Sequence, residues 1–158
     1  MLSTRYGPLF LAGVVALLAG CGGSSSTGAV APASPTSAQV MAVAHEIWSG
    51  PGGNPCHSET IATCPVTPKL AARIKVMETP PANGGRPNSW CRCQNAGDVV
   101  ITSDVTPTGG TAHVDFSNGV KVDFDMVEQS GSLLVDDTQC TGRGASTSIY
   151  VDPLVLCG

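Results

Sequence analysis

Cysteine is the residue in this 158-residue chain with the widest chemical range, and there are seven of them. A thiolate can exchange with a disulfide, bind zinc or form a structural bridge, and spacing separates these roles. The closest pair is Cys91-Arg92-Cys93. Its spacing differs from the C-x-x-C of redox enzymes, and zinc sites usually show a second spaced pair. Structural disulfides are therefore favoured over redox or metal chemistry at this motif.

The geometry of an extended segment argues against a bond between Cys91 and Cys93. Side chains two residues apart on a strand point the same way, with Cα atoms about 6.5–7 Å apart. That separation is near the limit for a disulfide. We therefore predict that Cys91 and Cys93 each bond to a distant cysteine. A bond between these two, or two free and exposed thiols, would instead favour thiol–disulfide or metal chemistry.

The other cysteines suggest a pairing. Cys56 and Cys64 are close in sequence, and Pro55 and Pro65 stiffen the loop between them. We predict a local bridge there. Cys91 and Cys93 would then bond to the two that remain, Cys140 and Cys157.

Histidines beside carboxylates are the candidates for acid–base chemistry. His113 and Asp115 lie two residues apart in an alternating run, so they share one face of a strand. A His–Asp pair can move protons, although a solvated strand face explains the same residues more simply. His45-Glu46 lacks a second histidine at the metalloprotease spacing, because residue 49 is Ser49.

Four carboxylates could gather on adjacent strands as a calcium site: Asp123, Asp125, Asp136 and Asp137. Calcium needs six to eight oxygen ligands, and the EF-hand spacing is absent. A polar, soluble sheet face is the favoured interpretation. Phosphate-loop, nucleophile-elbow and dinucleotide motifs are absent too. We therefore expect no metal, no cofactor and no catalytic residue.

The sequence of the N-terminus predicts a targeting signal. Arg5 supplies a positive start, and residues 9–19 form an apolar run of signal-peptide length that is too short to span a bilayer. The run ends in Leu18-Ala19-Gly20-Cys21, which resembles the lipobox of bacterial lipoproteins. This resemblance implies acylation of the Cys21 thiol and cleavage before Cys21. The alternative is an ordinary secretory signal with a coincidental cysteine.

The cysteine count agrees with the lipobox. Lipidation of Cys21 would leave an even set of six, as expected for three disulfides in an exported protein. We predict a signal peptide at 1–20, the lipidated cysteine and a Gly/Ser/Pro-rich tether at 21–35, and one domain at 36–158. The protein would sit on the bacterial cell membrane, facing outside the cytoplasm.

Two helices are predicted at the start of the domain. Thr36 and Gln39 fit a capping box. An apolar stripe with helical spacing follows: Val40, Val43, Ala44, Ile47 and Trp48. Thr67 is a second N-cap, with Pro68 at the first helical position.

From residue 99 the apolar residues alternate with polar ones, which is typical of half-buried strands. Turn signals separate the runs, including Asn118-Gly119, the strongest short hairpin signal, and Gly109-Gly110. A last short strand is indicated near 148–151. We predict a meander with strands near 99–105, 111–117, 120–128 and 132–138. The fold class is therefore α+β: one or two N-terminal helices packed on a four- to five-stranded antiparallel meander, held by disulfides.

The run from Val127 to Asp137 is similar to a hairpin that recurs in the NTF2-like and cystatin-like α+β group. The resemblance covers about residues 95–140. It implies a cone-shaped pocket, in which enzymes of that group can use an Asp–His dyad.

A net charge of −4 disfavours nucleic-acid binding, which needs a basic face. The favoured interpretation is a membrane-anchored envelope lipoprotein with a small binding or structural domain. The sequence does not identify its protein or small-molecule partner. Two alternatives are an NTF2-like enzyme that uses His113 and an aspartate, and a thiol–disulfide protein that uses Cys91 and Cys93.

Overall fold

A computed structural model describes residues 33–48, 55–79, 88–93, 97–142, 147–152 and 156–157. The predicted signal peptide, Cys21 and residues 21–32 of the tether lie outside these ranges. Neither helix in the described part of the chain is long and apolar enough to cross a membrane.

Helix α1 spans Ser37–Ile47 and begins at the predicted capping box. The Thr36 hydroxyl accepts from the Gln39 backbone N–H, while the Gln39 side chain accepts from the Thr36 N–H at 2.8 Å. These reciprocal bonds form the capping box, in which the Thr36 hydroxyl and the Gln39 side chain each accept from a backbone N–H at the helix start. The helix buries Val40, Ala44 and Ile47, which belong to the predicted apolar stripe.

Helix α2 spans Pro68–Glu78 and also begins where the sequence predicts. The Thr67 hydroxyl caps the Leu70 N–H, and proline at the first helical position costs no hydrogen bond. Its buried residues are Leu70, Ile74 and Met77.

The strands form one antiparallel sheet in sequence order, so the predicted meander and the α+β fold class are confirmed. Each of the first four observed strands overlaps its predicted run, and β5 is a short fifth strand. The strands are β1 (Val99–Thr106), β2 (Gly109–Phe116), β3 (Lys121–Gln129), β4 (Ser132–Cys140) and β5 (Thr147–Ser148).

One predicted turn is wrong. Gly109 and Gly110 belong to β2 and do not form the turn after β1. A Cβ atom on Gly110 would lie 2.6 Å from the Asp104 carbonyl oxygen and 2.8 Å from a methyl carbon of Val40. Close packing against β1 and α1 therefore requires glycine here.

The core lies on one face of the sheet. The inward residues of β2 and β3 are buried, among them Val114, Val122 and Phe124. Two edge-to-face aromatic pairs extend this core, Trp48 with Phe116 at 5.1 Å and Trp90 with Phe124 at 5.7 Å between ring centroids. The alternate residues of the same strands form the polar face on the other side.

Candidate functional site

Three disulfides use the six cysteines of the predicted domain. The first, Cys56–Cys64, is the local bridge that the sequence predicts. Between its ends, a 3-10 turn at Ile61–Thr63 keeps the loop tight. The predicted bonds from Cys91 and Cys93 to Cys140 and Cys157 are wrong, because the other two bridges are Cys91–Cys93 and Cys140–Cys157.

The backbone of Arg92 explains why the prediction for Cys91 and Cys93 fails. Arg92 has a φ of +46°, in the left-handed region, so the segment is folded back and is not extended. The Cα atoms of Cys91 and Cys93 are consequently 5.1 Å apart, well within disulfide range. An Arg92 N–H bond to the Asn88 carbonyl, at 2.7 Å, closes the turn.

The last bridge, Cys140–Cys157, joins the end of β4 to the C-terminal segment. The Cys157 N–H donates to the Arg92 carbonyl at 3.0 Å, which brings the C-terminal segment back against the Cys91–Cys93 turn. The end of β4, the C-terminal segment and the Cys91–Cys93 turn thus lie against one another.

The Cys91–Cys93 bond meets the condition that would favour thiol–disulfide chemistry, but its burial opposes that role. Cys91 is 0% exposed and Cys93 is 7% exposed. Thiol–disulfide exchange requires a thiolate to reach one of the sulfur atoms. A buried bridge with a single residue between its cysteines favours a structural role in shaping the turn.

That turn directs the Arg92 side chain inward, where it is 0% exposed. One terminal nitrogen, Nη1, donates to the Asp152 carbonyl at 3.0 Å. The other, Nη2, donates to the carbonyls of Thr138 and Thr147 at 3.1 and 2.6 Å. One guanidinium therefore links β4, β5 and the segment that follows β5.

Burial lowers the pKa of Arg92, and the negative charges of Asp137 and Asp152 partly oppose this effect. The guanidinium nevertheless remains charged, because arginine does not lose its proton in proteins. The role of Arg92 was not predicted from the sequence. A charged residue enclosed by two cysteines was the available signal, but nothing local indicated that the side chain points into the core.

His113 lies on the polar face, opposite the buried core. Its neighbours Ala112 and Val114 are buried on the inner face, so strand alternation directs the imidazole away from the buried core. His113 Nδ1 lies 2.8 Å from Asp123 Oδ1, and Nε2 lies 3.2 Å from Asp104 Oδ2. Asp115, the partner suggested by the sequence, instead pairs with Lys121 at 2.7 Å.

Cross-strand register explains the choice of partners. Asp123 on β3 stands directly opposite His113, while Asp104 on β1 is its diagonal neighbour. Asp115 follows His113 by two residues on the same strand and stands opposite Lys121. Register is a long-range property, so the spacing within one strand could not supply it.

These carboxylates raise the pKa of His113, with the Asp123 hydrogen bond as the largest cause. Raising the folded-state pKa above the ordinary value of 6.5 means that protonation stabilises the fold. The contribution is complete below pH 6.5 and disappears as the pH rises through the folded-state pKa. The imidazole is 36% exposed, so solvent screening limits the contribution to about 1 kcal/mol or less.

We expect an NMR titration of the His113 ring protons to give a pKa above 6.5. Asp123→Asn should lower that pKa more than Asp104→Asn, because the Asp123 bond is the stronger influence. Asp115→Asn is the matched control, since this carboxylate pairs with Lys121. A His113 pKa that responds equally to all three substitutions would contradict the assignment.

The four aspartates of the calcium alternative have separate partners. Asp123 pairs with His113, and Asp125 accepts from Thr111 at 2.9 Å and from the Gln139 amide. Asp136 accepts from the Thr67 hydroxyl at 2.8 Å, and the Thr138 N–H donates to Asp137 at 2.7 Å. Within the described ranges, no group of three or more His, Cys, Asp or Glu side chains is arranged so that it could hold a metal ion.

A shallow cleft of about 420 Å³ lies between α1 and β4, with Val43, Leu133 and Leu134 among its apolar walls. Glu46 and Gln39 supply its polar rim. His113 is not among its lining residues. The candidate acid–base pair and this cleft are therefore separate features.

Comparison with protein families, curated proteins and solved structures finds no significant match to this chain.

Proposed function

We propose that this protein is a lipid-anchored bacterial envelope lipoprotein whose small extracytoplasmic domain has a binding or structural role. The observation that carries the proposal is the closure of all six domain cysteines into three disulfides. The seventh, Cys21, directly follows Leu18-Ala19-Gly20, in a sequence that resembles a lipobox. An odd cysteine in an exported protein needs another use, and acylation supplies one.

The disulfides also support a location outside the cytoplasm. Cytoplasmic thiols are kept reduced, whereas exported proteins form and retain disulfides. The net charge of −4 disfavours binding to anionic lipid headgroups, so a basic patch would not hold this protein at a membrane. A protein carrying two or more acyl chains is held stably without such a patch.

The chemistry of the described residues favours binding or structure over catalysis. The Cys91–Cys93 bond is buried, which limits thiol exchange. The His113 cluster lies on the open polar face and not in the cleft beside α1. Arg92, the most buried charge, uses its donors to join backbone segments.

The proposal is tested by Cys21→Ala in a bacterial host. We expect the unaltered chain to lose residues 1–20, gain the mass of its acyl chains and enter the detergent phase of a Triton X-114 extraction. Cys21→Ala should abolish acylation and leave an unprocessed or soluble form. Ser24→Ala, in the same segment, is the control and should change neither property. Identical mass and partitioning of Cys21→Ala and wild type, each without acyl chains, would overturn the proposal.

A further inference from the structure

The two outer sides of the sheet differ in their backbone hydrogen bonding. Along β4, Val135 donates to the Pro65 carbonyl and accepts from the Thr67 N–H, both at 2.9 Å, and Gln139 and Cys140 pair with β5. Along the outer edge of β1, no backbone hydrogen bond is formed by the described residues. Among the strands that the structure describes, β1 is thus the open edge.

The hydrogen-bond pattern identifies which groups of β1 face outward. The Ser117 N–H donates to the Asp98 carbonyl at 2.8 Å, so residues 98 and 117 form a bonded pair. Bonded pairs recur at every second residue of an antiparallel ladder. Residues 100, 102, 104 and 106 therefore bond to β2, while 99, 101, 103 and 105 direct their N–H and C=O groups to the open edge.

The sequence of β1 also lacks the features that usually protect an edge strand, and its contact with α1 on this edge is through the Ser103 side chain, whose hydroxyl lies 2.6 Å from the Ser37 hydroxyl. The strand pairs with β2 over eight residues without a bulge, contains no proline or lysine, and has Asp104 as its only charge. Six of its residues are β-branched, Val99, Val100, Ile101, Thr102, Val105 and Thr106. Val100 is 67% exposed and Val105 is 41% exposed.

We propose that β1 pairs antiparallel with β1 of a second copy of this chain, with the two-fold axis at Ser103. In this register Asp104 stands opposite the Thr102 hydroxyl of the other copy, and Ile101 stands opposite Val105. The Asp104 oxygen that is not bonded to His113 can accept from that hydroxyl. Shifting the axis to Ile101 would oppose Asp104 to Asp98, and shifting it to Asp104 would oppose two aspartates, both of which are repulsive.

Pairing with a second copy is favoured over pairing with a strand of another protein, because the outward N–H and C=O groups of β1 match those of an identical antiparallel strand. The same edge offers donors and acceptors in an alternation that a two-fold axis matches to itself. Assembly stops at two copies, because each chain has one such open edge among its described strands. The result is a single sheet that continues through both copies.

The test uses the full chain in nonionic detergent, with micelles in large excess over protein. Sedimentation equilibrium should show a dimer. Val105→Lys places a charge against Ile101 of the other copy and should raise the dimer Kd about tenfold or more. Val151→Lys replaces another exposed valine away from β1 and should leave the Kd unchanged.

Cross-linking tests the register. Ser103→Cys should form a disulfide between copies under mild oxidation, because the two residues meet at the axis. Thr106→Cys should not, because its two positions lie about 20 Å apart in that register. A monomeric wild type, a dimer that survives Val105→Lys, or equal cross-linking of both cysteine variants would overturn the proposal, and a monomer that instead binds an extended foreign peptide would do so too.

Discussion

Arg92→Met is expected to lower the free energy of unfolding by about 2–4 kcal/mol. Methionine has a similar length but no donors, so the three bonds to the carbonyls of Thr138, Thr147 and Asp152 are lost. Bonds from a charged donor stabilise a fold more than neutral ones do. Methionine also avoids the cost of burying a charge away from water, and this gain offsets part of the loss. Chemical denaturation followed by circular dichroism measures the difference.

Arg73→Met is the matched control for this prediction. Arg73 is only half-buried and its Nε makes one bond, to the Ile149 carbonyl at 3.1 Å. We expect this substitution to cost about 1 kcal/mol or less. The left-handed backbone at position 92 is equally unfavourable for methionine and arginine. It therefore does not contribute to the difference in unfolding free energy between wild type and Arg92→Met. Equal costs for the two variants would contradict the prediction that the buried guanidinium stabilises the fold more than the half-buried one.

Removing the Cys140–Cys157 bridge by a double alanine substitution is expected to cost about 3 kcal/mol. The bridge joins residues 17 apart, so its loss frees a sizeable loop in the unfolded chain. It also releases the C-terminal segment that is held against the carbonyl of Arg92. Urea unfolding under non-reducing conditions measures the loss.

The Cys56–Cys64 bridge is the control for that loss, because its two cysteines are only 8 positions apart in the sequence. Its double alanine variant should cost about 0.7 kcal/mol less on loop length alone. With reductant present, both variants and the wild type should approach one another in stability. A larger cost for the shorter loop would contradict the loop-entropy explanation.

The secondary structure was largely predictable because its signals are local. Thr36 with Gln39 and Thr67 with Pro68 determine the helix starts through bonds within a few residues. The alternation of apolar residues assigns the faces of the strands, and Gly119, with a φ of +87°, fits the predicted Asn-Gly turn. Gly110 is the exception, since its close contact with Val40 comes from another element.

The candidate sites were less predictable because their partners are distant in sequence. His113 meets Asp123 and Asp104 through strand register, whereas spacing alone pointed to Asp115. Arg92 meets carbonyls that lie 46 to 60 positions away. No periodicity within a segment carries that information.

By itself, the sequence determined the α+β class, the order of the strands and the local Cys56–Cys64 bridge. Each depends on contacts between residues that are near neighbours along the chain. The sequence did not reveal the Cys91–Cys93 bond, because the residue type of Arg92 does not indicate its left-handed backbone, and tertiary structure then paired Cys140 with Cys157. It also decided which of the described strands forms the open edge of the sheet. The physical reason is that bonds across the fold depend on how whole elements meet, and the pattern of any one element does not contain that arrangement.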